Sequence, residues 1–174
     1  DTLRRDIFNK SNQVFKSFNP YKIEISKNIK EIQQEFGDFY IPKIITINNG
    51  IDYNYNIVKS DSLLLVSTDC YLGDNIHYKS IPNYISMKMN VDYFVKDITE
   101  SFLLDFIKYP VDRRFISKII YHGKLIYSMN KITDFNLEQI IGISQENLNW
   151  LTENEDEIWE YFVKNNLIFS TDIS

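Results

Sequence analysis

The length, composition and charge of the chain exclude several classes of protein. With 174 residues, of which 44% are hydrophobic, the chain can bury a core of ordinary size, and its single cysteine, Cys70, rules out an internal disulfide. The net charge of −5 argues against binding nucleic acid over a wide surface, because proteins that do so are basic. No apolar run reaches the ~18 to 20 residues that a transmembrane helix requires.

Helical periodicity dominates the first part of the chain. Apolar residues recur at helical spacing from Leu3 to Phe18, which predicts an amphipathic helix that ends before Pro20. A second helix is predicted to begin at Ser26, a favourable N-cap residue, and to end at Gly37.

The pattern then changes to that of a small sheet. A β-branched run predicts a strand over residues 41–47, and alternation predicts a half-buried strand over residues 53–58. The apolar run at residues 62–69 predicts a strand buried on both faces. We expect about three strands in a mostly antiparallel sheet, with residues 53–68 forming a hairpin.

The remainder of the chain is predicted to be mainly helical. A short helix begins at Pro82, and an apolar stripe over residues 91–106 marks the next one. Asp112 and Ser144 are candidate N-caps of two further helices. Helices gathered around one small sheet indicate the α+β class, and we expect a single domain over residues 1–174.

Residues that could carry chemistry are few and separated. His77 and His122 are the only histidines, and neither belongs to a His-Glu-x-x-His pattern, whose spacing places two zinc ligands on one helical face. Asp97 and Glu100 lie three residues apart on one predicted helix, so both carboxylates can face the same way, although their position off the apolar stripe favours solvent. Residue chemistry alone therefore leaves the activity open.

The last part of the chain is strongly acidic. Nine carboxylates stand against two lysines over residues 131–174, and most of them fall within residues 153–160. Such a run indicates a solvated helix face or an acidic docking surface.

Several separated phrases carry a resemblance to a known family. In order, they are DCYLG at 69–73, YKSIPNYI at 78–85, YFVKD at 93–97, IIYHGKLIY at 119–127, LNWLTENEDEIW at 148–159 and NLIFSTD at 166–172. In this order and spacing, they resemble the gliding-motility lipoprotein GldB family over roughly residues 41–172. The first forty residues add little to the likeness.

The resemblance implies a place in the cell. It implies a lipid-anchored, periplasm-facing protein of the cell envelope, whose partners are envelope proteins of the gliding machinery and the linked secretion machinery. The chain begins at Asp1 without a methionine, and we expect the anchoring cysteine upstream of it. Contact with the membrane would run only through that anchor, and we expect no nucleic-acid partner.

The resemblance also implies an architecture. Members look like the zincin-type domain of predicted zinc proteases, in which a strand borders a cleft and a helix bears the metal ligands. Here the corresponding helix reads VKDITE over residues 95–100 and has no histidine, and His122 stands where the family would have Glu. Without imidazole ligands a catalytic zinc site loses most of its ligand set. We therefore expect a pseudoenzyme, a protease-like scaffold with no metal and no other cofactor.

Together these observations predict a non-catalytic protein that binds a peptide or protein partner in the remnant cleft. We expect an extended segment to add to the edge of the strand at residues 62–69, which is a common mode of peptide recognition. The residues expected to line this cleft are Asp69, Tyr71, His77, Asp97 and His122.

Two alternatives stay open at this point. The first is a metal-dependent hydrolase with non-standard ligands, namely His122, Asp97 and Glu100. The second is a structural adaptor with no cleft. For the non-catalytic binding protein, the acidic helix at residues 153–160 is a candidate second contact surface.

Overall fold

The computed structural model describes residues 2–73 and 76–171, and the chain divides into two compact units between Phe102 and Leu103. The first unit holds a three-stranded sheet with helices, and the described part of the second unit holds helices only. The predicted α+β class is therefore confirmed. The single domain over residues 1–174 stays a prediction.

Two long helices open the first unit, α1 (Thr2–Val14) and α2 (Asn19–Phe36). The predicted start of α2 at Ser26 is wrong: Ser26 lies inside the helix, where its hydroxyl donates to the Lys22 carbonyl at 2.7 Å. The helix begins earlier because Pro20 occupies its first turn, where a missing N–H sacrifices no helical hydrogen bond. Gly37 ends α2 as predicted, with a φ of 92° that favours glycine.

The sheet comprises β1 (Lys43–Ile47), β2 (Ile57–Lys59) and β3 (Leu63–Ser67), in the order β1-β3-β2. β2 and β3 form the predicted antiparallel hairpin, but β1 pairs with β3 in parallel and over more residues. The prediction of a mostly antiparallel sheet is therefore corrected to a mixed sheet. Hydrophobic patterning reports which face of a strand is buried and leaves the direction of its neighbour open.

The half-buried strand predicted over residues 53–58 starts only at Ile57. The Asp52 side chain accepts a hydrogen bond from the Asn54 amide at 3.2 Å, which caps a single 3-10 turn over Tyr53–Tyr55. Asp side chains commonly divert the backbone into turns in this way.

The central position of β3 decides which strand edges are open. Leu64 and Val66 of β3 are 0% exposed, and both edges of this strand are paired, one with β1 and the other with β2. The expectation that an extended segment adds to the edge of this strand is therefore wrong. The open edges of the sheet belong to β1 and β2.

Two further helices complete the first unit, α3 (Asn83–Ser86) and α4 (Phe94–Leu103), with a 3-10 turn over Val91–Tyr93 between them. One stripe of α4 is buried, and it includes Phe94, Ile98 and Phe102. A buried hydrogen bond of 3.0 Å from the Asn28 amide to the Thr99 hydroxyl ties α2 to α4.

The described part of the second unit holds α5 (Phe115–Ile132), α6 (Leu137–Ile141), α7 (Gln145–Glu153) and α8 (Glu155–Lys164). Ser144 caps α7 as predicted, accepting from the Asn147 amide at 3.2 Å. Asn154 separates α7 from α8, and its side chain donates to the Trp150 carbonyl at 2.7 Å. Asp112 lies two residues before the N-cap of α5, Arg114, and accepts from the Arg114 amide at 2.9 Å.

Candidate functional site

Asp69 is an internal anchor for a loop. Its side chain follows β3 and is 0% exposed, and its carboxylate accepts hydrogen bonds from the backbone amides of Gly50 at 2.8 Å and Ile51 at 2.9 Å. The Asn49 amide adds a longer contact of 3.3 Å. Ile51 has a φ of 63°, which is uncommon for a β-branched residue. The carboxylate therefore holds the loop after β1 in a strained conformation.

Tyr71 and Asp97, two of the residues expected to line the cleft, contact each other. The Tyr71 hydroxyl donates to the Asp97 carboxylate at 2.9 Å, and the Asn56 amide donates to the same hydroxyl at 2.9 Å. Burial, and then the Asp97 charge, raises the pKa of Tyr71, so its hydroxyl stays a donor. Burial also raises the pKa of Asp97, against the opposing effects of Lys96 and Tyr71. This network connects the β2–β3 hairpin to α4.

Asp97 and Glu100 face the same way, as their spacing predicts, but a lysine lies between them. The Lys96 ammonium contacts Asp97 at 3.4 Å and forms an ion pair with Glu100. Burial alone would lower the pKa of Lys96, but the carboxylates of Glu100 and Asp97 outweigh it and raise that pKa. Because a resident ammonium already neutralises both carboxylates, this pair does not fit a metal centre.

The two histidines lie elsewhere in the chain. His77 is half-buried in the segment before α3, and His122 is exposed on α5 in the second unit, 5.0 Å from the Tyr121 ring between centroids. Within residues 2–73 and 76–171 no group of three or more His, Cys, Asp or Glu side chains is placed to hold a metal ion. The alternative of a hydrolase with His122, Asp97 and Glu100 as ligands therefore finds no support.

Sequence reasoning missed an apolar groove in the first unit, between α2 and β1, with a volume of about 590 Å³. One wall is a stripe of α2, whose lining residues follow one another at helical spacing from the N-cap residue Phe18 to Gln33. Ile44 and Thr46 of β1 form the strand wall, and Ile98 of α4 also lines the groove. We name this feature the α2–β1 groove. The signal was present in the sequence: starting the helix near Pro20 extends its apolar stripe to the full length of this wall.

The strand wall of the groove is also an open strand edge. The Lys43 amide donates to the Ser62 carbonyl at 3.0 Å, and in a parallel ladder every second residue turns both backbone groups toward the same neighbour. The backbone groups of Lys43, Ile45 and Ile47 therefore face β3. Those of Ile44 and Thr46 consequently point to the opposite side, away from the sheet.

The charges on the groove have one sign. Lys22 and Lys30 line it, and no carboxylate does so among the described residues. Neither ammonium forms an ion pair with another described side chain. The groove thus presents apolar walls, unpaired backbone groups and uncompensated positive charge.

The acidic segment at residues 153–160 keeps two interpretations, a solvated helix face and an acidic docking surface. The exposed aromatic side chains Trp150, Trp159 and Tyr161 lie on α7 and α8, the helices that carry most of its carboxylates.

Comparison with known proteins gives one family and no individual relative. The model of the family described as gliding motility protein GldB matches residues 1–174, the whole chain. No curated protein matches the sequence. No solved structure matches it. None of the described helices is long and apolar enough to cross a bilayer.

Proposed function

The chain belongs to the gliding motility protein GldB family, and from this premise we propose that it is a non-catalytic binding module of the gliding machinery. It captures an extended apolar segment of a partner protein in the α2–β1 groove. The observation that carries this proposal is the coincidence of an apolar groove with the unpaired backbone edge of β1.

Backbone hydrogen bonds would supply affinity. A segment that runs beside β1 places its own N–H and C=O groups opposite those of Ile44 and Thr46, and its alternate side chains enter the groove. The helix wall from Phe18 to Gln33 is ~22 Å long at 1.5 Å per residue. That length accommodates about six or seven extended residues.

The positive charge on the groove defines the ends of the segment. Lys22 and Lys30 belong to one helix and lie about two turns apart along it. An occupant with apolar residues in its middle and Asp or Glu near its ends complements both ammonium groups.

The location and partners follow the family resemblance. The family name supports a lipoprotein, and we propose that the anchor holds the chain at the periplasmic side of the envelope, among proteins of the gliding and linked secretion machinery. We also propose that the scaffold is a zincin-like pseudoenzyme. The placement of Lys96 between Asp97 and Glu100 supports this, because it leaves that helix without a free carboxylate pair.

The five residues expected to line a cleft have separate places in this proposal. Asp69 holds the loop after β1, and the bond between Tyr71 and Asp97 fixes the hairpin to α4, a helix that lines the groove. Direct contact of a partner with His77 or His122 stays a prediction.

Selection from a phage-displayed library of random heptapeptides tests the groove. We expect enrichment of peptides that alternate apolar residues and carry acidic ends. Thr46→Pro removes an outward-pointing N–H from β1 and should abolish that enrichment, since an edge strand tolerates proline without losing a ladder bond. Thr46→Val is the matched control, because it keeps the N–H and nearly the same shape. No enrichment by the unmodified chain, or equal enrichment by Thr46→Pro, would contradict the proposal.

A further inference from the structure

A smaller cavity of about 220 Å³ lies at the carboxyl ends of the parallel strands β1 and β3. Asn48, which follows β1, and Thr68, which follows β3, form one side of it, and Ser11 of α1 lies on its wall. Open α/β sheets bind their ligands at the same end of their parallel strands. We name this cavity the Ser11 pocket.

Ser11 is the unusual residue of this pocket. Ser11 is only 4% exposed, and its hydroxyl has no hydrogen-bond partner among the described residues. A buried hydroxyl without a partner is destabilising, and native proteins seldom retain one without a reason. The hydroxyl has an unused donor and an unused acceptor.

The neighbouring polar groups are only partly satisfied. The Thr68 hydroxyl lies 3.1 Å from the Ile47 carbonyl and 2.7 Å from the Asn48 side-chain oxygen, and both contacts draw on its one proton. Its lone pairs therefore stay available as acceptors. The Asn48 amide nitrogen donates to no other described residue. The pocket thus offers donors and acceptors together.

The walls of the pocket favour a neutral ligand over a charged one. Of the described residues that line it, none is charged, and its apolar walls include the rings of Phe8, Phe15 and Phe18. An ionised group would gain no counter-ion among these residues. A carboxamide is neutral and planar, and it carries donors and an acceptor on one small group, so it matches both the flat walls and the polar groups.

The pocket continues the α2–β1 groove, because Phe18 and Thr46 line both. We propose that the Ser11 pocket selects an Asn or Gln side chain on the segment bound in the groove, an inference that rests on the proposed function. The segment lies along β1, and the residue that passes Thr46 places its carboxamide against Ser11.

Matched synthetic peptides test this selectivity. The probe is the most enriched heptapeptide from the library, made with Gln, Glu or Leu at each position in turn and measured by fluorescence anisotropy. At one fixed position, we expect Gln to bind about tenfold more tightly than Leu, because two neutral hydrogen bonds are gained. Glu at that position should bind more weakly than Gln.

The variant Ser11→Ala identifies the pocket as the source of the preference. It removes only an unpartnered hydroxyl, so it should fold, and the Gln-to-Leu ratio should fall below about threefold. Ser128→Ala, on α5 in the second unit, is the control and should keep the tenfold ratio.

The outcomes separate the two proposals. Enrichment of apolar peptides without a preference for Gln would overturn the carboxamide pocket and leave the proposed function standing. The same holds if Ser11→Ala keeps the preference for Gln. A chain that enriches no peptide overturns both.

Discussion

Replacing Asp69 by alanine should destabilise the first unit more than any single surface change. The carboxylate is 0% exposed and accepts hydrogen bonds from the amides of Gly50 at 2.8 Å and Ile51 at 2.9 Å. Alanine leaves both amides without an acceptor and removes the group that holds Ile51 at a φ of 63°.

The magnitude follows from these two bonds. A hydrogen bond to a charged group contributes about 1.5 to 3 kcal/mol, so the loss of two gives ~3 to 6 kcal/mol, with the longer contact to Asn49 counted as negligible. That is a large fraction of the ~5 to 15 kcal/mol by which folded domains are stable. Asp52→Ala is the matched control: Asp52 lies in the same loop, is exposed, and caps only the turn at Asn54, so its loss should cost about 1 kcal/mol or less.

Two measurements should agree on this result. Urea unfolding followed by far-UV circular dichroism gives the free energy of unfolding. Native-state hydrogen exchange gives the protection of the Gly50 and Ile51 amides, which Asp69→Ala should abolish and Asp52→Ala should preserve. Tryptophan fluorescence is unsuitable here, because Trp150 and Trp159 both belong to the second unit. A loss below about 1 kcal/mol with unchanged exchange would refute the reasoning.

Three further predictions concern buried polar groups. Burial, then Asp69 and Asp52, raises the pKa of Cys70 to about 12, so the thiol should react with a disulfide reagent at pH 8 only after unfolding; rapid labelling of the native chain would contradict this. Burial raises the pKa of Asp97 in the folded chain above its ordinary 3.8, so the folded state holds the proton more tightly than the unfolded state does. The stability gained from this protonated carboxyl is fully present below pH 3.8 and is lost as the pH rises through the folded pKa. The stability of Asp97→Asn relative to the unmodified chain should therefore increase from pH 4 to pH 7, and urea titrations showing a decrease would contradict it. Thr99→Val leaves the Asn28 amide buried without its acceptor and should cost about 1 to 3 kcal/mol in the same assay, whereas an unchanged unfolding midpoint would show that this bond contributes nothing.

The sequence predicted the elements whose signals are local. Gly37 ends α2 and Ser144 caps α7, because a positive φ and a capping hydroxyl depend on a few neighbouring residues. The β2–β3 hairpin was predictable for the same reason. Tyr71 and Asp97 were both expected to line the cleft, which stays a prediction, and their direct hydrogen bond was not predicted.

The features that escaped prediction depend on distant partners. The parallel pairing of β1 with β3 places Lys43 opposite Leu63, and no local pattern reports this alignment. The groove depends on how α2 lies against β1, and it was hidden further by the assumption that α2 begins at Ser26. The contacts of Lys96 with Asp97 and Glu100 were not predicted, although the four-residue spacing of Lys96 and Glu100 on one helix favours their ion pair.

The strand order also has a consequence for the path of folding. The β2–β3 hairpin closes a short loop and can form within microseconds, whereas β1 must wait for a longer loop to close before it docks on β3. We therefore expect β1 to be the last strand to join the sheet and the first to leave it, with amides that exchange faster than those of β3. A segment paired with its open edge would hold β1 from both sides. Occupancy of the groove would then slow the departure of β1 from the sheet. Binding of a segment would therefore also lower the rate at which the native state unfolds.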